Sequence, residues 1–225
     1  MARFKENLTQ PKRTAKAALL GLAFPLAALA GCNSLAATVL KPQVEAAALS
    51  VPAGDYKLDT KHASILFKIN HLGYSTYVGR FDRFDASLSG DPAHPEAATV
   101  TAVVDMSSLD IANPEFAEEL MGPDWFDAGA YPQATFKTYG LKVVGKNEAD
   151  ISGDLTLKGK TQAVIIKARL NGSAYDRLRG ADVVGFSATL SIRRSDFGID
   201  RFTGLITDDV VIEIEAEFIK TKPAG

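Results

Sequence analysis

The sequence predicts an all-β protein, an extended antiparallel barrel of about eight strands with one or two short helices. Period-two alternation dominates from Tyr56 onward, the mark of half-buried strands. Turn chemistry at Ser89-Gly90-Asp91-Pro92, Lys158-Gly159-Lys160 and Asn171-Gly172-Ser173 punctuates it. There is also no β-helix-β rhythm, which argues against a parallel sheet.

Taken in order, Ile65, Phe67 and Ile69 alternate with Leu66, Lys68 and Asn70. Val100, Ala102, Val104 and Met106 share one face, and Ile151, Leu155 and Leu157 another with Gly153 between them. Phe186, Ala188, Leu190 and Ile192 oppose Ser187, Thr189, Ser191 and Arg193. The last strand is the clearest, with Val210, Ile212, Ile214, Ala216 and Phe218 set against Val211, Glu213, Glu215 and Glu217. One segment departs from this pattern. Asn113-Pro114-Glu115 reads as a helix start, with Asn as cap and Pro in the first turn, and Gly122-Pro123 ends the helix. A barrel of this size either fills its interior or keeps room for one small ligand, and alternation leaves both open.

Residues 1–16 carry five basic side chains and one acid, and Ala17 to Ala30 are all apolar, glycine or proline. That order reads as a secretory signal over residues 1–31, too short to span a bilayer, which takes about 20 apolar residues. Leu29-Ala30-Gly31-Cys32 resembles the bacterial lipobox, in which the cysteine is acylated and becomes the new N-terminus. Residues 32–53, rich in Ala and holding Asn, Ser, Pro and Glu, read as a tether. Residues 54–221 then form the barrel domain and 222–225 a tail. With the signal at +4 and the whole chain at −2, the remainder stands at −6, a poor match for nucleic acid. Cys32 is the only cysteine, so no thiol remains for a disulfide, a nucleophile or a zinc site.

His62, His71 and His94 lack the spacing of metal ligands, and there is no Gly-x-Ser-x-Gly elbow or Gly-x-Gly-x-x-Gly loop. Asp124 with Asp127 and Asp208 with Asp209 sit where aspartate caps turns. Arg193 and Arg194 are either a strand-end ion pair or a polar rim for a ligand head group. No catalytic site, metal or cofactor is expected.

Asp59-Thr60-Lys61-His62-Ala63-Ser64-Ile65-Leu66-Phe67-Lys68-Ile69-Asn70-His71 resembles the opening of the YceI-like polyisoprenoid-binding family. Gly79-Arg80-Phe81-Asp82-Arg83-Phe84, Asp124-Trp125-Phe126-Asp127 with Tyr131-Pro132 and Phe136, Gly153 to Gly159, Arg194-Ser195-Asp196-Phe197-Gly198 and Asp208-Asp209-Val210 are similar to its later segments, in the same order. Trp125 stands where Phe is more usual, and the proline often found just after Gly159 is missing. The resemblance implies a lipocalin-like barrel whose lumen holds a long isoprenoid or a fatty-acid-like amphiphile. By strand parity the lumen candidates are Ile65, Phe67, Ile69, Phe81, Val104, Met106, Phe136, Phe186, Ala188, Leu190 and Ile192. Trp125 and Phe126 are expected to close a cap, and His71 and Arg80 to make polar contacts near the mouth. The expected role is a periplasmic carrier or storage protein held to the membrane through Cys32, and a homodimer is compatible with it. The rival reading is an envelope interaction module with a filled core.

Asn33 stands after the cysteine in place of the Asp that retains enteric lipoproteins at the inner membrane, so the outer membrane is favoured. Wild-type protein grown with a radioactive fatty acid should carry label and resist washing in high salt. Cys32→Ala should remain unlabelled, as soluble protein or uncleaved precursor. An unlabelled wild type would exclude the lipoprotein reading.

Overall fold

The computed structural model describes residues 39–44 and 52–221. The expected signal peptide, Cys32, most of the tether and the tail lie outside the described residues. The strands are β1 (Gly54–Leu58), β2 (Ser64–His71), β3 (Ser75–Phe81), β4 (Phe84–Gly90), β5 (Thr99–Asp105), β6 (Leu109–Asp110), β7 (Gln133–Val143), β8 (Glu148–Leu157), β9 (Lys160–Asp176), β10 (Ala181–Arg193) and β11 (Asp209–Lys220), with helix α1 (Pro114–Met121) between β6 and β7. Among the described residues no helix is long and apolar enough to cross a membrane.

All pairings along these strands are antiparallel, and β1 pairs with both β4 and β11, which closes the sheet. Eleven segments make an eight-stranded circuit because the first three strands are each interrupted. β11 pairs with β1 through Phe218–Lys220 and with β2 through Val210–Glu215, so β1 and β2 occupy one strand position. β4 and β3 share the next, and β5 and β6 the third.

The interruptions are built from short polar side chains. Asp59 accepts from Lys61 N at 3.2 Å at the first break, and Asp105 accepts from Ser107 N at 2.9 Å at the third. Buried Ser108 joins the second and third breaks. Its hydroxyl accepts from Arg83 N at 3.0 Å and donates to Asp105 O at 2.6 Å. Backbone groups released from the ladder are thus satisfied locally, as burial requires.

The β2–β3 and β8–β9 hairpins turn on Leu72-Gly73 and Lys158-Gly159, where all four residues have positive φ (56°, 79°, 48° and 69°). At β8–β9, where Leu157 pairs with Lys160, that is the two-residue geometry whose twist matches the flanking strands, and at β2–β3 the loop has one residue more, Tyr74. Helix α1 starts where expected, with Asn113 Oδ1 accepting from Phe116 N at 3.1 Å, and stops at Gly122. The expected turn at Asn171-Gly172-Ser173 is instead a bulge inside β9. Gly172 pairs with Gly185 and Leu170 with Phe186, leaving Asn171 over. Its side-chain amide donates to Ser187 Oγ at 2.8 Å, so the polar residue that suggested a turn serves the sheet.

The two ends of the barrel differ. At one end lie the β2–β3 and β8–β9 turns, α1 and the β10–β11 connection, and the core there is well packed, with Phe197 and Met106 1% and 2% exposed. Arg194, also buried, holds the β10–β11 connection together by donating to the carbonyls of Ile199, Arg201, Thr207 and Ile206. The opposite end carries the β4–β5, β7–β8 and β9–β10 connections and both chain ends of the barrel.

Asp208 fastens the closed end. It accepts from Ser195 Oγ at 2.6 Å and Ser195 N at 2.9 Å, and pairs with Arg193 Nε at 2.9 Å. The serine hydroxyl first, and then the serine N–H and the arginine, hold its carboxyl below the usual carboxylate range. A depressed folded pKa stabilises above the unfolded value of about 3.9 and loses that contribution as pH falls through the folded value. Asp208→Asn should lower stability by about 1–2 kcal/mol at pH 7, and the gap should narrow at pH 3. Urea unfolding at both pH values checks this, and a gap that widens in acid would contradict it.

Candidate functional site

The inward positions of the circuit enclose a cavity of about 740 Å³ running along the barrel. Ligand pockets span about 300–1,000 Å³, so this space is large enough for a sizeable apolar molecule. The decisive observation is that inward aliphatic and aromatic side chains stay only half-buried. Ile65, Phe67, Ile69, Phe81, Val104, Phe186 and Ala188 face the cavity without reaching core burial. In a filled core such residues would touch neighbours on every side. This geometry supports a lumen rather than a filled core.

Two glycines let the lumen stay wide. A Cβ at Gly79 would lie 2.3 Å from the Phe67 ring and 2.7 Å from Ile111 Cγ2. One at Gly153 would lie 2.4 Å from the Phe136 ring and 2.7 Å from Lys137 O. The tip of each ring lies over a glycine on the adjacent strand, in space a side chain there would take.

An aromatic series closes one end. Tyr77, Phe116, Trp125 and Phe202 follow one another at ring separations of 6.1, 6.3 and 6.1 Å, the first two contacts edge-on. Phe67, Phe81 and Phe126 form a second series, 5.9 Å at each step. The Trp125 indole N–H donates to Glu119 Oε1 at 3.3 Å, which fixes the ring against α1. Trp125 and Phe126 thus lie at the packed end, bordering the cavity. Met106, Phe136, Leu190 and Ile192 are buried and also border it. His71 borders it too, but the expectation that it lies near the mouth is corrected: it is exposed at the end of β2, at the packed end, with its ring 6.5 Å from Tyr77.

Arg80 is a correction. It pairs across the ladder with Leu66, while its neighbours Gly79 and Phe81 pair with inward Phe67 and Ile65. Arg80 therefore points outward, where Nε pairs with Asp110 at 2.8 Å and Asp82 at 3.1 Å. Arg193 and Arg194 divide the two readings of their pair. Arg193 makes the exterior ion pair, whereas Arg194 borders the cavity with donors already given to backbone carbonyls.

Other lining residues were hidden in the sequence. Leu141 faces the cavity with Phe136, an odd distance away, because the β7–β8 register shifts between Thr138 and Gly140. Phe116 reaches it from the helix. Ala149, Ala168 and Ala188 are in register on β8, β9 and β10, and leave space on that side. Asp59 and His62, three residues apart, also converge with distant Glu217, and their arrangement has the spacing of metal ligands. Arg179 stands among them, with Nη2 2.8 Å from Glu217 and 3.3 Å from Asp59, and supplies the positive charge there itself.

A closed antiparallel barrel with an apolar lumen is the architecture of a small-molecule binding protein. Residues 56–218 match the YceI-like domain, and the chain belongs to that family. It is 39% identical over 176 residues to a UPF0312 protein of Vibrio cholerae, covering 76% of this chain and 93% of the relative. A UPF0312 protein of Pseudomonas putida is 36% identical over 172 residues, covering 76% and 88%. Among solved structures, Burkholderia cenocepacia BcnA superposes with a TM-score of 0.65 at 26% identity, over 71% of this chain and 98% of that one. A polyisoprenoid binding domain from Saccharophagus degradans shares the fold, with a TM-score of 0.57 at 17% identity over 74% and 98%.

The glycine–ring packing is directly testable. Gly153→Ala should cost about 1–3 kcal/mol by overpacking, because Lys137 O is backbone and Phe136 can yield only into the lumen. Thermal unfolding measures the cost. A variant as stable as wild type, with unchanged binding of an apolar probe, would contradict the packing.

Proposed function

We propose that this protein binds a long-chain isoprenoid or a similar amphiphilic lipid in its lumen. In this reading it acts as a periplasmic carrier or storage protein tethered through Cys32, and performs no catalysis. The observation that carries the proposal is the apolar cavity of about 740 Å³ with half-buried aliphatic walls. Each buried methylene is worth about 0.8 kcal/mol, so a five-carbon isoprene unit has roughly 3–4 kcal/mol driving it out of water. A chain of several units needs an apolar escort to cross an aqueous compartment, and this lumen has the character of one. The fold shared with a polyisoprenoid binding domain agrees with this choice of ligand.

Protein purified from its native host, extracted with organic solvent and measured by mass spectrometry, should yield a long apolar chain in near-stoichiometric amount. Ala188→Phe places a ring in the lumen and should abolish that ligand, while the ligand-free variant unfolds close to ligand-free wild type. Repeated extraction of nothing from wild type, together with a loss of about 1–3 kcal/mol in the variant, would overturn the proposal.

A further inference from the structure

We propose that the end of the barrel opposite the aromatic cap docks on a lipid bilayer, so that an apolar chain passes between membrane and lumen without crossing water. The proposal rests on the lumen being the ligand site, and three observations support it.

The first is where the cavity meets the surface. Pro92 and Pro95 of the β4–β5 connection and Gly145 and Lys146 of the β7–β8 turn border it, and Val143 borders it while half exposed. The second is the chemistry of that turn. Val143 and Val144 stand side by side, 52% and 49% exposed, between exposed Lys142 and Lys146. Branched apolar side chains on a hairpin tip cannot pack into their own core. Flanking lysines suit an interfacial position, with apolar bodies entering the acyl boundary and ammonium groups reaching back to head groups. Asp91 and Glu148 also border the cavity here, so the apolar pair rather than net charge drives attachment.

The third is the path of the chain. Pro52 borders the same cavity, with its carbonyl accepting from the Tyr56 hydroxyl at 2.5 Å, and Ala53 O accepts from Lys220 Nζ at 2.5 Å. Burial chiefly, and the nearby Asp182, push the Tyr56 hydroxyl up to about 12, so it stays a donor at physiological pH. The chain therefore enters the barrel at the mouth. Cys32 stands only 20 residues before Pro52 in the sequence. Anchorage at Cys32 would hold this end, not the capped one, within reach of the membrane.

The capped end also carries exposed apolar groups, among them Tyr74, Phe202 and Leu205. They surround a buried plug of Trp125, Phe197 and Ile199, with Asp124, Asp196 and Asp200 exposed nearby. That end is filled by buried side chains, and its exposed Arg193 and Arg201 are already paired with Asp208 and Asp124.

The test uses the mature chain from residue 32 carrying Cys32→Ala, so that neither the signal segment nor acylation plays a part, and vesicles of phosphatidylethanolamine and phosphatidylglycerol. Flotation should recover protein with the vesicles. Adding Val144→Asp should lower the partition coefficient about tenfold or more, and Lys142→Gln about fivefold at low salt. Leu205→Asp at the capped end should leave it unchanged. Loading of a fluorescent polyene fatty acid from vesicles should slow in Val144→Asp, while loading from detergent micelles stays at the parent rate. Loss of flotation in Leu205→Asp with none in Val144→Asp would overturn the proposal, as would equal vesicle loading by both. Failure of the parent protein to load from either source would instead count against the lumen as ligand site, and flotation alone would still decide which end docks.

Discussion

Ring closure governs everything else in this molecule. Once β1 pairs with both β4 and β11, the circumference is fixed by strand number and stagger, and the interior can no longer contract onto its side chains. An open sheet packs against a helix until no space is left, whereas a closed one keeps whatever volume its inward residues do not fill. Here those residues are mixed in size, with Ala149, Ala168 and Ala188 in register and the rings of Phe67 and Phe136 set over glycines. The cavity follows from closure and from this choice of side chains together.

Much of this was legible in the sequence. Strands buried on one face only must alternate, so Phe186 to Ile192 and Val210 to Phe218 declare both strand and inward face. Helix α1 was legible because its cap, its proline and its terminating glycine are local signals. What could not be read depends on partners across the ladder. The bulges at Tyr139 and Asn171 shift register without a distinctive residue pattern, since Asn171-Gly172 reads equally as a turn. Alternation alone could not separate a filled barrel from one with a lumen, because that depends on how side chains from eight strands meet. Arg80 was misplaced for a related reason. It was expected near the mouth, whereas its pairing with Leu66 sends it to Asp110 and Asp82 on the exterior.

The two ends divide the remaining tasks. At the capped end Arg194 and Asp208 fasten a connection that would otherwise leave carbonyls and N–H groups unsatisfied. A buried cation with four hydrogen bonds to backbone carbonyls is a structural device, and it holds that end together. The other end has short turns, prolines and exposed valines around the cavity. Rigidity at one end and access at the other is an arrangement suited to holding an apolar molecule and letting it exchange.

The central claim is that the lumen is shaped to hold an extended apolar chain. A crystal structure of the protein purified from its native host tests it most directly. Continuous elongated density along the barrel axis, against Ile65, Phe67, Phe136 and Ala188 and free of polar partners over most of its length, is the predicted result. A lumen collapsed by inward rotation of Phe67 and Phe136, or filled by hydrogen-bonded water, would contradict it.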